Sequence, residues 1–368
     1  MRILRIISII IVGTLFIFSG TVKGIDPLGS AYKFHDYFEA FGIGFLNALT
    51  VILSFILCLA EFITGFSILT GINRRAGTWG ALILMIVFTP LTFILALTNP
   101  VSDCGCFGDA IHLSNWQTFF KNIILLGFVL VLFTNRKKES SSFSPLKQWI
   151  ITGSASAMFL SFIAYNLVYL PVIDFLPYSV GSSIPEKMKI PEGAAVSKYE
   201  TTFIYEKDGA RKEFTLDNYP ASDTSWKFIE QKSRLTSKGY IPPIHDFSIT
   251  TVEKINITDS VLSSEKPVLL IISKKLEQAG LNRLSEAIET GKNFSTKGTI
   301  SLLLTASGED EIRKLNISIP ACTTDETTLK TMIRSNPGYM LLRKGTVLAK
   351  WSWANVPGVD EMMKISNR

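Results

Sequence analysis

The chain has 368 residues, 47% hydrophobic and 18% charged, and its 37 Lys and Arg against 31 Asp and Glu leave a formal net charge of +6. A basic excess would suit nucleic acid, but no Lys/Arg block is interleaved with aromatics, and several basic residues stand at the ends of apolar runs. Membrane orientation accounts for that placement, so nucleic acid is set aside as a partner and a lipid bilayer takes its place.

The apolar runs cover residues 3–20, 41–71, 79–97, 119–133 and 149–175. Each is near or above the ~18–20 residues that cross a hydrocarbon core, and backbone satisfaction in lipid makes them helices. The run 119–133 is short and becomes adequate with Trp116 and Lys121 at its interfacial end, Lys121 snorkelling. Pro90, after Thr89, is expected to kink the third span. The segment between the first two runs, with His35 and Asp36, reads as a solvated amphipathic loop.

Flanking charge sets the orientation. Arg2 and Arg5 precede the first span, Arg74 and Arg75 separate the second and third, and Arg136, Lys137, Lys138 and Lys147 separate the fourth and fifth. The opposite loops carry Lys23 and Lys33, then no Lys or Arg from 98 to 116. The positive-inside rule puts the N-terminus in the cytoplasm, and five crossings put everything after Pro177 outside, in the periplasm of a bacterial inner membrane. A cleaved signal peptide fits less well, because Phe18-Ser19-Gly20-Thr21 is a poor small-x-small site.

Beyond the last span charged residues return at globular density. Residues 199–206 and 211–216 alternate around Lys207-Asp208-Gly209 as a hairpin, in a linker region over 177–240. Residues 268–272 and 300–304 are short apolar strands, with a helix expected over 276–289 and a short one over 310–315. Thr324 is the expected N-cap of a helix running to about Arg334. Residues 339–342 and 347–353 form a hairpin about Lys344-Gly345, and 359–365 close as a helix. This order resembles the thioredoxin fold over 241–368. Pro337, in Asn336-Pro337-Gly338, then stands where that fold has its cis-proline loop. The resemblance departs at 273–280, where the redox-active Cys-x-x-Cys would stand and no cysteine is present. Dithiol chemistry at that place is excluded, and the domain reads as a docking module.

The four cysteines are Cys58 inside the second span, Cys104 and Cys106 in Asp103-Cys-Gly-Cys-Phe-Gly-Asp109, and Cys322 in the soluble domain. A Cys-x-Cys pair closes a small, strained ring, which makes a transferable oxidant rather than a staple. Gly105 and Gly108 permit the required backbone angles, while Asp103 and Asp109 are expected to raise the thiol pKa values. A loop staple and a metal site with His112 are the alternatives; no metal is assigned. Cys322 reads as a buried free thiol, with a transient bridge to the loop as the second reading. Glu61 is the acidic residue well inside a span, where a carboxylate is costly, and it lies three residues after Cys58 on the same helix face. A packing hydrogen bond is its bland alternative.

Phe18-Ser-Gly-x-x-Lys23-x-x-Asp26-Pro27, Glu61-Phe-x-x-Gly65 and Asp103-Cys-Gly-Cys-Phe-Gly108 together resemble the DoxX/MauE group of redox-associated bacterial membrane proteins, over residues 1–135. With a fifth span (136–176, including a cytoplasmic loop) and a cysteine-poor thioredoxin-like tail, the arrangement resembles the Bacteroidetes type. The resemblance implies a four-helix membrane core and disulfide-related work, with a quinone as one candidate cofactor and a periplasmic thiol protein as one candidate partner. On this reading Cys104, Cys106 and Glu61 carry the chemistry, Glu61 in a proton or quinone role, with Lys23, Asp103, Asp109 and Cys322 as accessories. The alternative is a non-catalytic scaffold or assembly factor whose thioredoxin-like domain binds partners. A transporter is a distant third, since the spans are poor in polar residues and lack a visible inverted repeat.

Overall fold

In the computed structural model the described residues are 2–101, 103–136, 143–195, 198–207, 209–215, 218, 223, 225–237, 239–315 and 317–367. Lys137, Lys138 and Asp208, used above for the loop charge and the hairpin turn, lie outside them.

Among the described residues, five helices are long and apolar enough to cross a membrane. They are α1 (Arg2–Ile25), then, after α2 (Pro27–Ala40), α3 (Thr50–Thr70), α4 (Arg74–Thr98), α5 (Asn115–Asn135) and α6 (Pro145–Val168). Large side chains such as Ile52, Ile56, Ile83, Ile86, Ile124 and Met158 point outward, which water would penalise and lipid accepts. Inside, Val12, Phe16, Ile68, Ala81, Met85 and Val129 form the core between α1, α3, α4 and α5. Phe159 and Ile163 of α6 pack on Cys58 of α3.

Helices α1 and α3 come into backbone contact, and two glycines permit it. A Cβ added at Gly20 would stand 2.6 Å from the Phe62 backbone nitrogen, and one at Gly65 would stand 2.5 Å from that of Ile17. Backbone contact of this kind is how small residues join membrane helices. It sets Ser19 and Lys23 of α1 directly against Glu61 of α3.

The segment expected as an amphipathic loop is instead the helix α2. Asp26 caps it by accepting from the Gly29 N–H at 2.9 Å, and Pro27 fills its first turn. The fourth span begins four residues before its apolar run, at a capping box of Ser114 and Gln117. Pro90 lies within the continuous helix α4.

Residues 1–182 and 248–368 form one compact unit and 183–247 a second. The second holds α7 (Ile184–Met188) and a sheet of β1 (Lys198–Lys207), β2 (Ala210–Thr215) and β3 (Lys227–Ser237), in the order β2-β1-β3. The hairpin was expected; β3 was not, since its charged run lacks strong alternation. Tyr205, Phe214, Phe228 and Trp226 stack edge to face there.

The mixed α/β domain contains β4 (Thr250–Thr251), α8 (Thr258–Leu262), β5 (Val268–Ser273), α9 (Leu281–Ser295), β6 (Ile300–Thr305), α10 (Glu309–Lys314), β7 (Ala321–Thr323), α11 (Glu326–Met332), β8 (Gly338–Arg343), β9 (Thr346–Ser352) and α12 (Val359–Ser366). Its sheet order is β4-β7-β6-β5-β8-β9, with β5, β6 and β7 parallel and β8 antiparallel to β5. Every residue of β5 is buried, as a central strand covered on both faces requires. The Asn336–Pro337 peptide bond is cis. This is the thioredoxin-like arrangement the sequence resembled. Several helix boundaries differ from expectation, two of them for a visible reason. Gly280, at φ 77°, delays the first long helix to Leu281, and Asp325 rather than Thr324 caps α11.

Candidate functional site

The loop from α4 to α5 folds back over the end of α1. Gly105 and Gly108 take positive φ (62° and 53°), the left-handed conformation expected of them. The backbone turns twice, Gly108 N–H donating to Gly105 O at 3.0 Å and Ala110 N–H to Phe107 O at 3.3 Å. Within these turns the Cys104 and Cys106 sulfurs come to 3.3 Å, both as thiols.

Three bundle residues hold this loop. Tyr37 of α2 donates to the Cys104 carbonyl at 2.5 Å, and Lys33 pairs with Asp103 at 3.1 Å. Ser19 Oγ lies 2.8 Å from the Cys106 carbonyl and 2.8 Å from Glu61 Oε2, so its single proton is shared between them. Lys23 Nζ donates to Ser19 Oγ at 2.9 Å and pairs with Glu61 at 2.7 Å. Glu61 and Lys23 are almost wholly buried, as a charge pair inside a bundle must be. Glu61, Lys23, Cys104 and Cys106, separately picked out in the sequence, therefore form one connected cluster. Ser19 was quoted only as part of a motif; as the link between Glu61 and the loop it was missed.

The two thiols differ in acidity. The hydrogen bond from Cys104 lowers the Cys106 pKa to about 6 against the opposing effect of burial, and Lys121 and Lys23 add positive potential. Cys104 is pushed up, because its proton is held toward Cys106 and the thiol is buried. The acidic flanks were expected to raise both. At Cys106 the net shift is downward, and both acids are paired, Asp103 with Lys33 and Asp109 with Arg334 at 2.7 Å. The Lys121 ammonium stands 4.4 Å from the centroid of the Phe107 ring, on the loop itself.

A pocket of about 80 Å³ opens beside the loop between α2, α3 and α4. Phe34, Leu57, Phe88 and Leu91 make its apolar wall, with Tyr37, Lys23 and the two cysteines at its polar end. Cys322 lies elsewhere, buried in β7 beside Thr251 and Leu304. Burial pushes its thiol up to about 11, an unreactive state.

The α/β domain meets the bundle at this same end. Arg334, on the segment before cis-Pro337, pairs with Asp26 at 2.7 Å and with Asp109 at 2.7 Å. No local signal in the sequence marks this residue.

Residues 1–135 match the family described as methylamine utilisation protein MauE, and residues 199–238 match a domain of unknown function, DUF8463. No curated protein matches. Among solved structures, a secreted Mycobacterium tuberculosis disulfide oxidoreductase, titled as homologous to E. coli DsbE, is 13% identical, covering 33% of this chain and 95% of that one with a TM-score of 0.25. That likeness is too slight to bear on function. The chain is a multi-pass membrane protein whose N-terminal bundle is similar to the MauE family and whose C-terminal part is a mixed α/β domain.

Proposed function

We propose that this chain is a redox-associated membrane protein that exchanges thiols and disulfides at Cys104 and Cys106, and that it belongs with the DoxX/MauE group of the Bacteroidetes type. The observation that carries the reading is the pair of sulfurs 3.3 Å apart, one favoured as thiolate, over a buried Lys23–Glu61 pair. Cys106 thiolate attacks a partner disulfide, forming a mixed disulfide and releasing one partner thiolate, which takes up a proton. Cys104, losing its proton, then attacks the Cys106 sulfur; the second partner thiol leaves, and the loop holds a disulfide. The partner gains two electrons and two protons; the loop supplies both electrons and the Cys104 proton, and the second proton comes from solvent, to which Cys106 released it on ionising. The reverse direction is balanced in the same way. Ser19 links the Cys106 carbonyl to Glu61 and so holds the loop against the buried pair.

The apolar pocket beside the loop is the place we propose for the edge of a quinone ring, next to Cys104 and Cys106. When bound, a quinone would supply a two-electron, two-proton acceptor or donor next to the sulfurs. The positive-inside asymmetry of the flanking charges supports a periplasmic position, outside an inner membrane, for the loop and the α/β domain. Replacing Cys104 by Ser removes the resolving thiol, so Cys106 should accumulate mixed disulfides with a periplasmic thiol protein. If reducing and non-reducing gels of that variant show no trapped species, the exchange reading fails.

The scaffold reading rests on one observation: the end of β5 carries Ser273-Lys274-Lys275 in place of a dithiol. A Cys104→Ser/Cys106→Ser variant that retains full function would favour it.

A further inference from the structure

In an open α/β sheet, ligands gather at the carboxyl ends of the parallel strands. Here that edge comprises the ends of β5, β6 and β7 and the cis-proline segment. Ser273 Oγ donates to Asn336 Oδ1 at 3.0 Å and Asn336 Nδ2 to the Lys275 carbonyl at 3.3 Å, which makes the strand end and the segment one surface. Ser273, Lys274, Arg334 and Ser335 on it are all buried. The chain's own bundle buries it. Lys274 Nζ donates to Tyr32 Oη of α2 at 2.9 Å, and Lys330 and Arg334 also stand 5.1 Å and 5.3 Å from the Tyr32 ring centroid. Arg334 Nε lies 2.8 Å from Asp26, the cap of α2, while its Nη2 reaches Asp109 of the cysteine loop.

We propose that the thioredoxin-like domain uses this ligand edge as an internal clamp on its own membrane bundle, with Arg334 as the positioning residue for the Cys104–Cys106 loop. Arg334 reaches the loop by two routes. One is direct, through Asp109, three residues from Cys106 and joined to it by the two turns described above. The other runs through Asp26, which caps α2 and so sets Lys33 and Tyr37, the anchors of Asp103 and Cys104. A buried guanidinium with two carboxylates from different elements fixes both at once, which a lysine's point charge would do less well. Two further ties hold the domain in place. Lys350 pairs with Asp174 at 2.6 Å, and β9 exchanges backbone hydrogen bonds through Val347 with Gly181 and Ser182. The ligand edge is thus committed within the chain. The inference assigns a purpose to a domain that has kept the fold and lacks the dithiol; only its bearing on thiol chemistry rests on the exchange reading above.

The test uses the full chain in lipid nanodiscs, with Arg334→Gln, Asp109→Asn and the double variant. Asp109→Asn lies in the bundle half and leaves the core of the α/β domain untouched, so it serves where Arg334→Gln perturbs folding. Hydrogen exchange of the amides at 103–109 should quicken roughly tenfold in Asp109→Asn, by more in Arg334→Gln, which also frees Asp26, and in the double no further than in Arg334→Gln, since Asp109 acts only through that guanidinium. Amides of β5 and β6 should keep their protection. Closure of the Cys104–Cys106 disulfide by diamide should slow in all three variants. Loop exchange unchanged in both single variants, or effects that add in the double, would overturn the clamp. Cysteines that diamide never oxidises would instead sink the exchange reading, while the loop amides still report on the clamp.

Discussion

Lys23 Nζ lies 2.7 Å from Glu61 Oε1 inside the bundle, with side-chain exposures of 6% and 2%. Bringing either charge there alone is costly, and the pair is tolerable because each neutralises the other and Ser19 takes up a remaining hydrogen bond. Its place directly beneath Cys106 ties an expensive feature of the bundle to the loop.

Removing one partner should therefore be worse than removing both. Lys23→Met or Glu61→Leu is expected to cost about 3–5 kcal/mol, because an unpaired charge stays buried. The double variant should recover much of that loss. Thermal unfolding of the detergent-solubilised protein, followed for all three, measures the difference.

The acidity of Cys106 gives a pH signature. Its thiolate is present above about pH 6 and is lost as pH falls through that value, so alkylation should stay fast at neutral pH and fall below pH 6. Cys104→Ala removes the thiol hydrogen bond, the largest cause of the shift, so the midpoint should rise toward the ordinary thiol value of about 8.5. Rates of iodoacetamide modification from pH 4 to 10 check both.

Docking of the α/β domain should strengthen with pH. Burial, aided by Arg334, lowers the Lys274 pKa to about 7, with Lys330 acting in the same direction and Asp26 and Glu326 against. Undocked, the amine returns toward 10.5, so between about pH 7 and 10.5 the undocked state binds more protons and docking gains stability as pH rises. Hydrogen exchange at Tyr32 and its neighbours should slow from pH 7 to 9, after correction for intrinsic rates. Lys274→Met should remove that extra dependence.

The α1–α3 contact predicts a contrast between glycines. Gly20→Ala places a methyl 2.6 Å from the Phe62 nitrogen and should cost about 1–3 kcal/mol by forcing the helices apart. Gly127→Ala in α5 meets nothing within 4 Å and should be neutral or slightly stabilising. Unfolding midpoints of the two variants give the comparison.

The spans were legible in the sequence because long apolar runs have no other solvent, and β5 because six consecutive apolar or small residues suit a strand covered on both faces. Helix α2 was not, since its 14 residues mix charged and aromatic side chains without a span-length run. Asp26-Pro27 was nonetheless a readable start signal. Strand β7, three residues long, is shorter than any periodicity can show. Cys104 and Cys106 stood out by spacing, and Glu61 by the cost of its burial. The pairing of Lys23 with Glu61 spans 38 residues, and that of Arg334 with Asp26 spans 308. Such contacts are products of packing, and local pattern carries no trace of them.

The central claim is that Cys104 and Cys106 cycle between dithiol and disulfide. Mass-tagged alkylation of intact cells, before and after reduction, reads their state directly in a chain carrying Cys58→Ser and Cys322→Ser. The account predicts a mixed population, with tagging that rises by two groups after reduction. A chain whose two loop cysteines are fully tagged beforehand in every growth condition would contradict it.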